Sequence, residues 1–141
     1  MNWRDITDLQ QLDILTAQRL GYTVRSFERD KGAVWELYAP NGFQVGDGSY
    51  ASERAAWRMG CPDYTSDLNA AAGLPMPKGY RLRITIRERF HELPDSDDLL
   101  YQVSYYDRLN GEVCGTIQLT EALARTLAWH ALADERERGN E

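Results

Sequence analysis

The spacing of leucines predicts an α-helix near the start of the chain. Four of them fall on one side of three helical turns: Leu9, Leu12, Leu15 and Leu20. Thr7 and Gln10 have the spacing of a capping box, which satisfies free backbone N–H groups at a helix start. Gly21 follows as a typical left-handed stop. We therefore predict a helix over residues 8–20.

A second helical pattern lies near the end of the chain. Thr120 is a suitable N-cap, and Glu121 stands where a negative charge favours a helix start. Six apolar residues then share one broad side: Leu123, Ala124, Leu127, Ala128, Ala131 and Leu132. The charged tail, residues 134–141, is expected to fray.

Alternating residues between these two helices predict β-strands. Residues 22–38 form a predicted hairpin, and residues 43–45 are a candidate third strand. Three further stretches alternate in the same way and form a predicted meander: residues 81–87, 101–106 and 113–119. Two short helices are expected between the hairpin and the meander, one over 51–59 and one capped by Thr65 or Ser66.

This order of elements predicts a single α+β domain over residues 1–133, with helices packed on a mainly antiparallel sheet in an α/β/α-type sandwich. The length of 141 residues and the hydrophobic content of 43% suit a globular domain of this kind. No apolar run reaches the roughly 18 residues of a membrane span, and the N-terminus lacks the pattern of a secretion signal. We therefore expect a cytoplasmic protein without membrane contact.

The chain is acidic, with a net charge of −6 from 16 basic and 22 acidic residues. A general nucleic-acid coat gains its affinity by neutralising phosphates, which argues against that function here. A local basic patch remains compatible with this balance. The two cysteines, Cys61 and Cys114, are too far apart in sequence for a metal-ligand motif. We expect neither a metal nor a cofactor.

Catalytic patterns are weak in this sequence. The two histidines, His91 and His130, have no local signature that pairs them with either cysteine as a nucleophile. The acidic stretch Asp95–Asp98 resembles the start of a calcium loop but lacks its central glycine and closing glutamate. Phosphate-binding loop motifs are absent from the sequence. We therefore expect that the protein is not an enzyme.

Arginines alternate along the first strand of the predicted meander. Four of them share a parity and define one sheet face, named here the arginine face: Arg81, Arg83, Arg87 and Arg89. Gln102, Ser104 and Tyr106 on the next strand are expected on the same face. Guanidinium groups clamp anions and stack on rings, so one hypothesis is that an anionic or nucleotide-like ligand binds here, with Tyr106 as an aromatic plate. The alternative is a solvated face whose arginines pair with acids such as Glu88 or those of residues 95–98.

A tryptophan on the last helix suggests a different kind of site. In a regular helix Trp129 projects nearly opposite the side that carries Leu123 and Leu127. Large aromatic residues away from a buried face often mark protein contacts, which makes Trp129 a candidate partner contact. The alternative is that a loop or the segment around Trp3 covers it.

Three segments carry a family resemblance. Residues 12–24 form a leucine-aspartate helix that runs into a Gly-aromatic strand start, and residues 119–133 form an alanine-rich helix. Between them, residues 62–71 contain the most specific motif: Pro62, Tyr64, Thr65, Ser66 and Asp67, followed by alanines. In this order the segments resemble the phage ABA sandwich domain family. Gly73, Pro75 and other breakers depart from that family, because they shorten the helix that follows the motif.

The resemblance implies a small bacteriophage or prophage protein that has helices on both sides of a sheet and no established catalytic motif. It also places the protein in the cytoplasm of a bacterial host. Within the motif, Tyr64 is expected to pack, Thr65 or Ser66 to cap a helix, and Asp67 to lie in its first turn. A ligand role for Tyr64 and Asp67 is the alternative.

Two functions follow as hypotheses. The first is a non-catalytic binding or host-modulating accessory factor that contacts an unknown protein partner. The second is a protein that sequesters an anionic nucleotide-like ligand, of an anti-defence type, on Arg81, Arg83 and Arg87. A flat sheet face cannot by itself bury a ligand, so a site at the boundary of a homodimer is one form of the second hypothesis.

Overall fold

The computed structural model describes residues 2–88, 99–109 and 111–139, which form α-helices and two antiparallel β-sheets. The predicted α+β class is therefore confirmed. The chain divides into two compact units, Met1–Asp63 and Tyr64–Glu141. The extent of the domain, residues 1–133, stays a prediction.

Each unit combines helices with one sheet. The first unit contains, in chain order, a 3-10 turn (Trp3–Asp5), α1 (Leu9–Leu20), β1 (Thr23–Arg29), β2 (Gly32–Tyr38) and α2 (Glu53–Gly60). The second unit contains α3 (Leu68–Ala72), β3 (Tyr80–Glu88), β4 (Leu99–Asp107), β5 (Gly111–Gln118) and α4 (Glu121–Gly139). This order matches the predicted succession of helix, hairpin, short helices, meander and helix.

Short polar side chains and one glycine set the helix boundaries of the first unit. Asp8, not Thr7, caps α1, because its carboxylate accepts a hydrogen bond from the backbone N–H of Gln10 at 3.0 Å. Gly21 ends this helix as predicted, with a φ of 102° that glycine adopts without strain. Ser52 caps α2, because its hydroxyl accepts a hydrogen bond from the backbone N–H of Ala55 at 3.1 Å.

The hairpin of β1 and β2 packs closely against α2. Leu37 of β2 is completely buried. A β-carbon at Gly60, the last residue of α2, would stand 3.0 Å from Cδ2 of Leu37, so the glycine lets the helix approach the strand. The candidate third strand over residues 43–45 is wrong. In this segment Gln44 makes one isolated bridge to Tyr38, which is too short a pairing to form a strand.

The second unit is built on a three-stranded antiparallel sheet in the order β3-β4-β5, which confirms the predicted meander. Helix α4 packs on one face of it, across β4 and β5. The core between helix and sheet consists of five buried residues: Val103, Tyr105, Ala124, Ala128 and Leu132. Leu82 and Ile84 of β3 pack against this core. The side chains that alternate with them therefore lie on the opposite face of the sheet.

Helix α4 buries more of its surface than its apolar spacing predicts. Thr120 caps it as expected, accepting a hydrogen bond from the backbone N–H of Leu123 at 3.2 Å. Leu123 and Leu127 are only half-buried, whereas Trp129 is 8% exposed and His130 is completely buried. The prediction that Trp129 projects away from the buried side is therefore wrong, because this helix is covered on more than one side.

Most of the charged tail is helical, and its fraying stays a prediction. Helix α4 continues past residue 133 to Gly139. Arg138 forms an ion pair with Glu135, three residues earlier on the same helix. Pairs at this spacing stabilise a helix, which accounts for the additional turns.

The motif before α3 has a different cap from the one expected. Tyr64 is 5% exposed and therefore packs, as predicted. Asp67 caps α3, because its carboxylate accepts a hydrogen bond from the backbone N–H of Asn69 at 2.9 Å. The prediction that Thr65 or Ser66 is the cap is wrong, since Thr65 is buried and Ser66 precedes the observed cap.

Candidate functional site

Strand β3 presents its arginines on one face of the sheet. Arg81, Arg83 and Arg87 are exposed, with Thr85 between them. The residues that alternate with the first two arginines pack toward the core under α4. The predicted arginine face is confirmed for these three positions, because β3 runs without irregularity from Tyr80 to Glu88.

Strand β4 supplies the second row of this face. Tyr106 lies directly opposite Arg81 in the register, and its side chain is half-buried. Ser104 lies opposite Arg83, and at 2% exposed it is buried. Gln102 follows at the next position of the same face. The prediction that these three side chains share the arginine face is therefore confirmed.

An open cleft of about 520 Å³ lies at one end of the arginine face. Its lining combines both rows with the turn after β4: Arg81, Leu82, Arg83, Tyr106, Asp107 and Arg108. Pockets that hold small organic ligands typically measure about 300–1,000 Å³. The cleft therefore has room for a ligand of this class.

Two charged residues of the lining, Asp107 and Arg108, were not identified by sequence reasoning. Arg108 lies in the turn directly after β4, two positions beyond Tyr106. Its signal in the sequence is this spacing of two, which extends the alternation of β4 by one step. Asp107 has no such signal. It lies at the end of β4, where its carboxylate accepts a hydrogen bond from the backbone N–H of Leu109 at 3.1 Å.

Positive charge dominates the cleft, which three arginines and one aspartate line. The guanidinium carbon of Arg83 lies 5.9 Å from the centre of the Tyr106 ring, within the range of a cation–π contact. Within the described part of the chain, Arg81, Arg83 and Arg108 form no ion pair with a carboxylate. Their N–H donors can therefore serve an anion such as phosphate.

A β-bulge brings a carboxylate to the same face. Tyr105 of β4 pairs with Cys114 of β5. The next residue, Tyr106, pairs with Glu112, which leaves Val113 as the extra residue of the bulge. Both Val113 and Cys114 pack against the core under α4. Glu112 therefore lies beside Tyr106 on the arginine face.

Gly115 leaves room for this carboxylate. A β-carbon at Gly115 would lie 2.6 Å from Oγ of Ser104 and 2.9 Å from a carboxylate oxygen of Glu112, closer than unbonded atoms approach. The hydroxyl and the carboxylate thus come together over the bare backbone of Gly115. This point lies on β5, whereas Arg83 lies on β3, so β4 separates the carboxylate from the arginines.

Both thiols have raised pKa values. Burial raises the pKa of Cys61 to about 12, with further contributions from the charges of Asp13 and Asp63. Burial likewise raises the pKa of Cys114 to about 11, and the charge of Glu135 adds to it. Because the thiolate is the nucleophilic form, neither cysteine is suited to nucleophilic catalysis at neutral pH.

We expect iodoacetamide to alkylate the native protein about a hundredfold more slowly, at about pH 8, than the urea-unfolded protein. The pKa of each thiol is raised from 9.0 to about 11 or 12, and each unit lowers the thiolate fraction about tenfold, so the fraction falls about a hundredfold or more. In the native protein the rate should keep rising through pH 9 up to about pH 11. Equal native and unfolded rates would contradict this prediction.

The same pKa values predict a loss of stability at alkaline pH. The folded protein holds both thiol protons more tightly than the unfolded protein, whose thiols titrate near pH 9.0. This contribution is fully present below that pH and is lost as the pH rises toward 11 and 12, where the folded thiols ionise.

Trp129 is covered by the segment that follows α3. It lines a small cavity of about 130 Å³, together with residues that include Pro75, Pro77 and Arg136. This burial agrees with the alternative in which a loop covers the indole. The indole of Trp129 is therefore not exposed for contact with a protein partner, as that hypothesis requires.

The remaining positions singled out from the sequence cannot be placed on this face. Arg89, His91 and the stretch Asp95–Asp98 lie outside the described residues. Among the residues that the structure does describe, no group of three or more His, Cys, Asp or Glu side chains is placed to hold a metal ion. None of the described helices combines the length and apolar character that crossing a membrane requires.

The second unit thus brings three kinds of groups to one sheet face. The cleft offers guanidinium donors and the ring of Tyr106, and Glu112 offers an acceptor on the far side of β4. This arrangement can bind an anion, stack on a planar ring and accept hydrogen bonds from the same molecule. No protein-family model, curated protein or solved structure matches the chain.

Proposed function

We propose that this protein is a non-catalytic binding protein whose arginine face holds an anionic, ring-containing ligand of the nucleotide type. The observation that carries the proposal is the cleft in which Arg81, Arg83 and Arg108 are placed around Tyr106. Guanidinium groups bind phosphate through paired hydrogen bonds, and an aromatic ring stacks on a base. A bare anion would use only the first of these two features.

A small ligand suits this geometry better than a protein partner. The cleft is concave, and one chain supplies its whole lining, so binding does not require a homodimer. The candidate contact named for the competing hypothesis, an accessory factor that binds a protein, is Trp129, which is 8% exposed. We therefore favour the hypothesis of a sequestering protein over that of an accessory factor.

The non-catalytic role is supported by the state of the candidate nucleophiles and bases. The pKa of each thiol lies well above neutral, and His130 is completely buried. In the phage or prophage setting that the family resemblance implies, the protein acts in the cytoplasm of a bacterial host. There it would withdraw a nucleotide-like signal by binding it.

Calorimetric titration of the full chain with nucleoside monophosphates tests this function. We expect Arg83→Gln to weaken nucleotide binding about 10- to 150-fold, because a hydrogen bond to a charged group contributes about 1.5–3 kcal/mol. Arg29→Gln is the matched control. Arg29 is also an exposed strand arginine, and its guanidinium carbon lies 5.8 Å from the centre of the Phe27 ring. This control should bind as tightly as the unaltered protein.

Native mass spectrometry of gently purified protein gives a second readout. A bound small molecule that is lost from the Arg83→Gln/Arg87→Gln double variant would support the proposal. Failure of every nucleotide to bind, or an equal loss of affinity in Arg29→Gln, would contradict it. Chemical turnover of a bound nucleotide would contradict the non-catalytic role.

A further inference from the structure

We infer that the ligand of the arginine face is a guanine nucleotide and that Glu112 recognises the edge of its base. This inference rests on the proposed function and adds the identity of the base to it. Its basis is the order of groups across the sheet: arginines on β3, a tyrosine ring on β4 and a carboxylate on β5.

The backbones of these residues lie in one line across the three strands, and the carboxylate of Glu112 extends from there to a point over Gly115. Arg81, Tyr106 and Glu112 are consecutive partners in the register of β3, β4 and β5. Neighbouring strands are about 4.8 Å apart, so the backbones of the outer two residues are separated by roughly 10 Å. A nucleotide has the same order, since its phosphate and the hydrogen-bonding edge of its base lie at opposite ends.

The bulge is what places Glu112 in this line. Counting back from the pair of Tyr105 and Cys114, regular alternation would set Val113 opposite Tyr106. The bulge turns Val113 toward the core and brings Glu112 to that position instead. Bulges commonly re-aim a side chain next to a binding site. The bulge therefore presents Glu112 to the ligand while Val113 still packs against the core.

The carboxylate is not used to neutralise the arginines. Glu112 is exposed, and among the described residues it forms no ion pair with Arg83, although both lie next to Ser104. Strand β4 keeps the opposite charges on separate sides. Each charge can therefore meet a different end of one ligand.

The chemistry of a carboxylate selects among the bases. An ionised carboxylate only accepts hydrogen bonds. Guanine presents two adjacent donors, its ring N1–H and its 2-amino group, and can therefore bind a carboxylate through two parallel hydrogen bonds. Adenine and cytosine place an acceptor nitrogen beside their amino group, and uracil flanks its single N–H with two carbonyls. In these three bases a lone pair would face Glu112.

Titration with GMP, IMP and AMP tests this inference on the unaltered protein. IMP lacks the 2-amino group of GMP but keeps its N1–H, and AMP lacks both donors. A good bidentate pair discriminates between bases about 5- to 150-fold, so we expect GMP to bind more tightly than AMP by such a factor, with IMP between them. Glu112→Gln should remove the preference for GMP, because GMP loses its two parallel hydrogen bonds and a lone pair of AMP no longer faces a carboxylate.

Glu28→Gln controls for the change in net charge. It removes one exposed carboxylate from β1 and should retain the preference for GMP. Equal affinities for the three nucleotides, or a GMP preference that survives in Glu112→Gln, would overturn this inference and leave the proposed function standing. If no nucleoside monophosphate binds, purine or pyrimidine, the proposed function fails as well.

Discussion

Replacing Leu132 with alanine should lower the free energy of unfolding by about 2–5 kcal/mol. Leu132 is 1% exposed and packs in the core between α4 and the sheet. Its neighbours on the helix, Ala124 and Ala128, are completely buried and too small to fill the space that the leucine leaves. The variant therefore loses both the transfer free energy of the side chain and the contacts that line the new cavity.

Urea unfolding followed by far-UV circular dichroism measures this effect. Leu109→Ala is the matched control, because it removes the same atoms from a residue that is 91% exposed. We expect it to leave the free energy of unfolding unchanged within about 0.5 kcal/mol. Equal effects of the two substitutions would show that Leu132 does not occupy a packed core.

The second large effect is expected in the other unit, where Leu37→Ala should also lower the free energy of unfolding by about 2–5 kcal/mol. Leu37 is completely buried and touches the end of α2. The single substitution Gly60→Ala should cost about 1–3 kcal/mol, because its new β-carbon would stand 3.0 Å from Cδ2 of Leu37.

A double-mutant cycle tests whether the contact between Gly60 and Leu37 causes these effects. In Leu37→Ala/Gly60→Ala the closest atom that crowds the new β-carbon is gone, and only the hydroxyl of Tyr50, at 3.2 Å, still stands close to it. Alanine is also a better helix residue than glycine by about 1 kcal/mol. The two substitutions together should therefore destabilise the protein by less than the sum of their separate effects. Strictly additive effects would mean that α2 does not lie against Leu37.

The arginine face and the meander could be predicted from alternation alone. A side-chain period of two requires only that a strand be regular, which β3 is from Tyr80 to Glu88. Arg81, Arg83 and Arg87 therefore lie where parity places them. The final helix was predicted with its cap, Thr120, for a similar reason, since a hydroxyl before an apolar helical pattern is a local signal.

Features that depend on irregularity or on packing from a second direction could not be predicted. The bulge that brings Glu112 beside Tyr106 shifts the register by one residue, and alternation does not encode such a shift. Helical spacing identifies one apolar side of α4, but the burial of Trp129 and His130 depends on what covers its other sides. The choice of Asp8 over Thr7 as a cap is similar, because both side chains can accept the same kind of bond. The resemblance to the phage family stays a prediction.

The position of β3 gives its charges a second effect, on solubility. This strand lies at the outside of the described sheet, where it pairs with β4 alone, so the backbone groups of its alternate residues point away from β4, along its outer edge, and have no partner strand in that sheet. A second β3 aligned antiparallel along that edge would bring guanidinium groups against one another, which is unfavourable. Substitutions that retune the cleft for neutral ligands would therefore also weaken a barrier against aggregation.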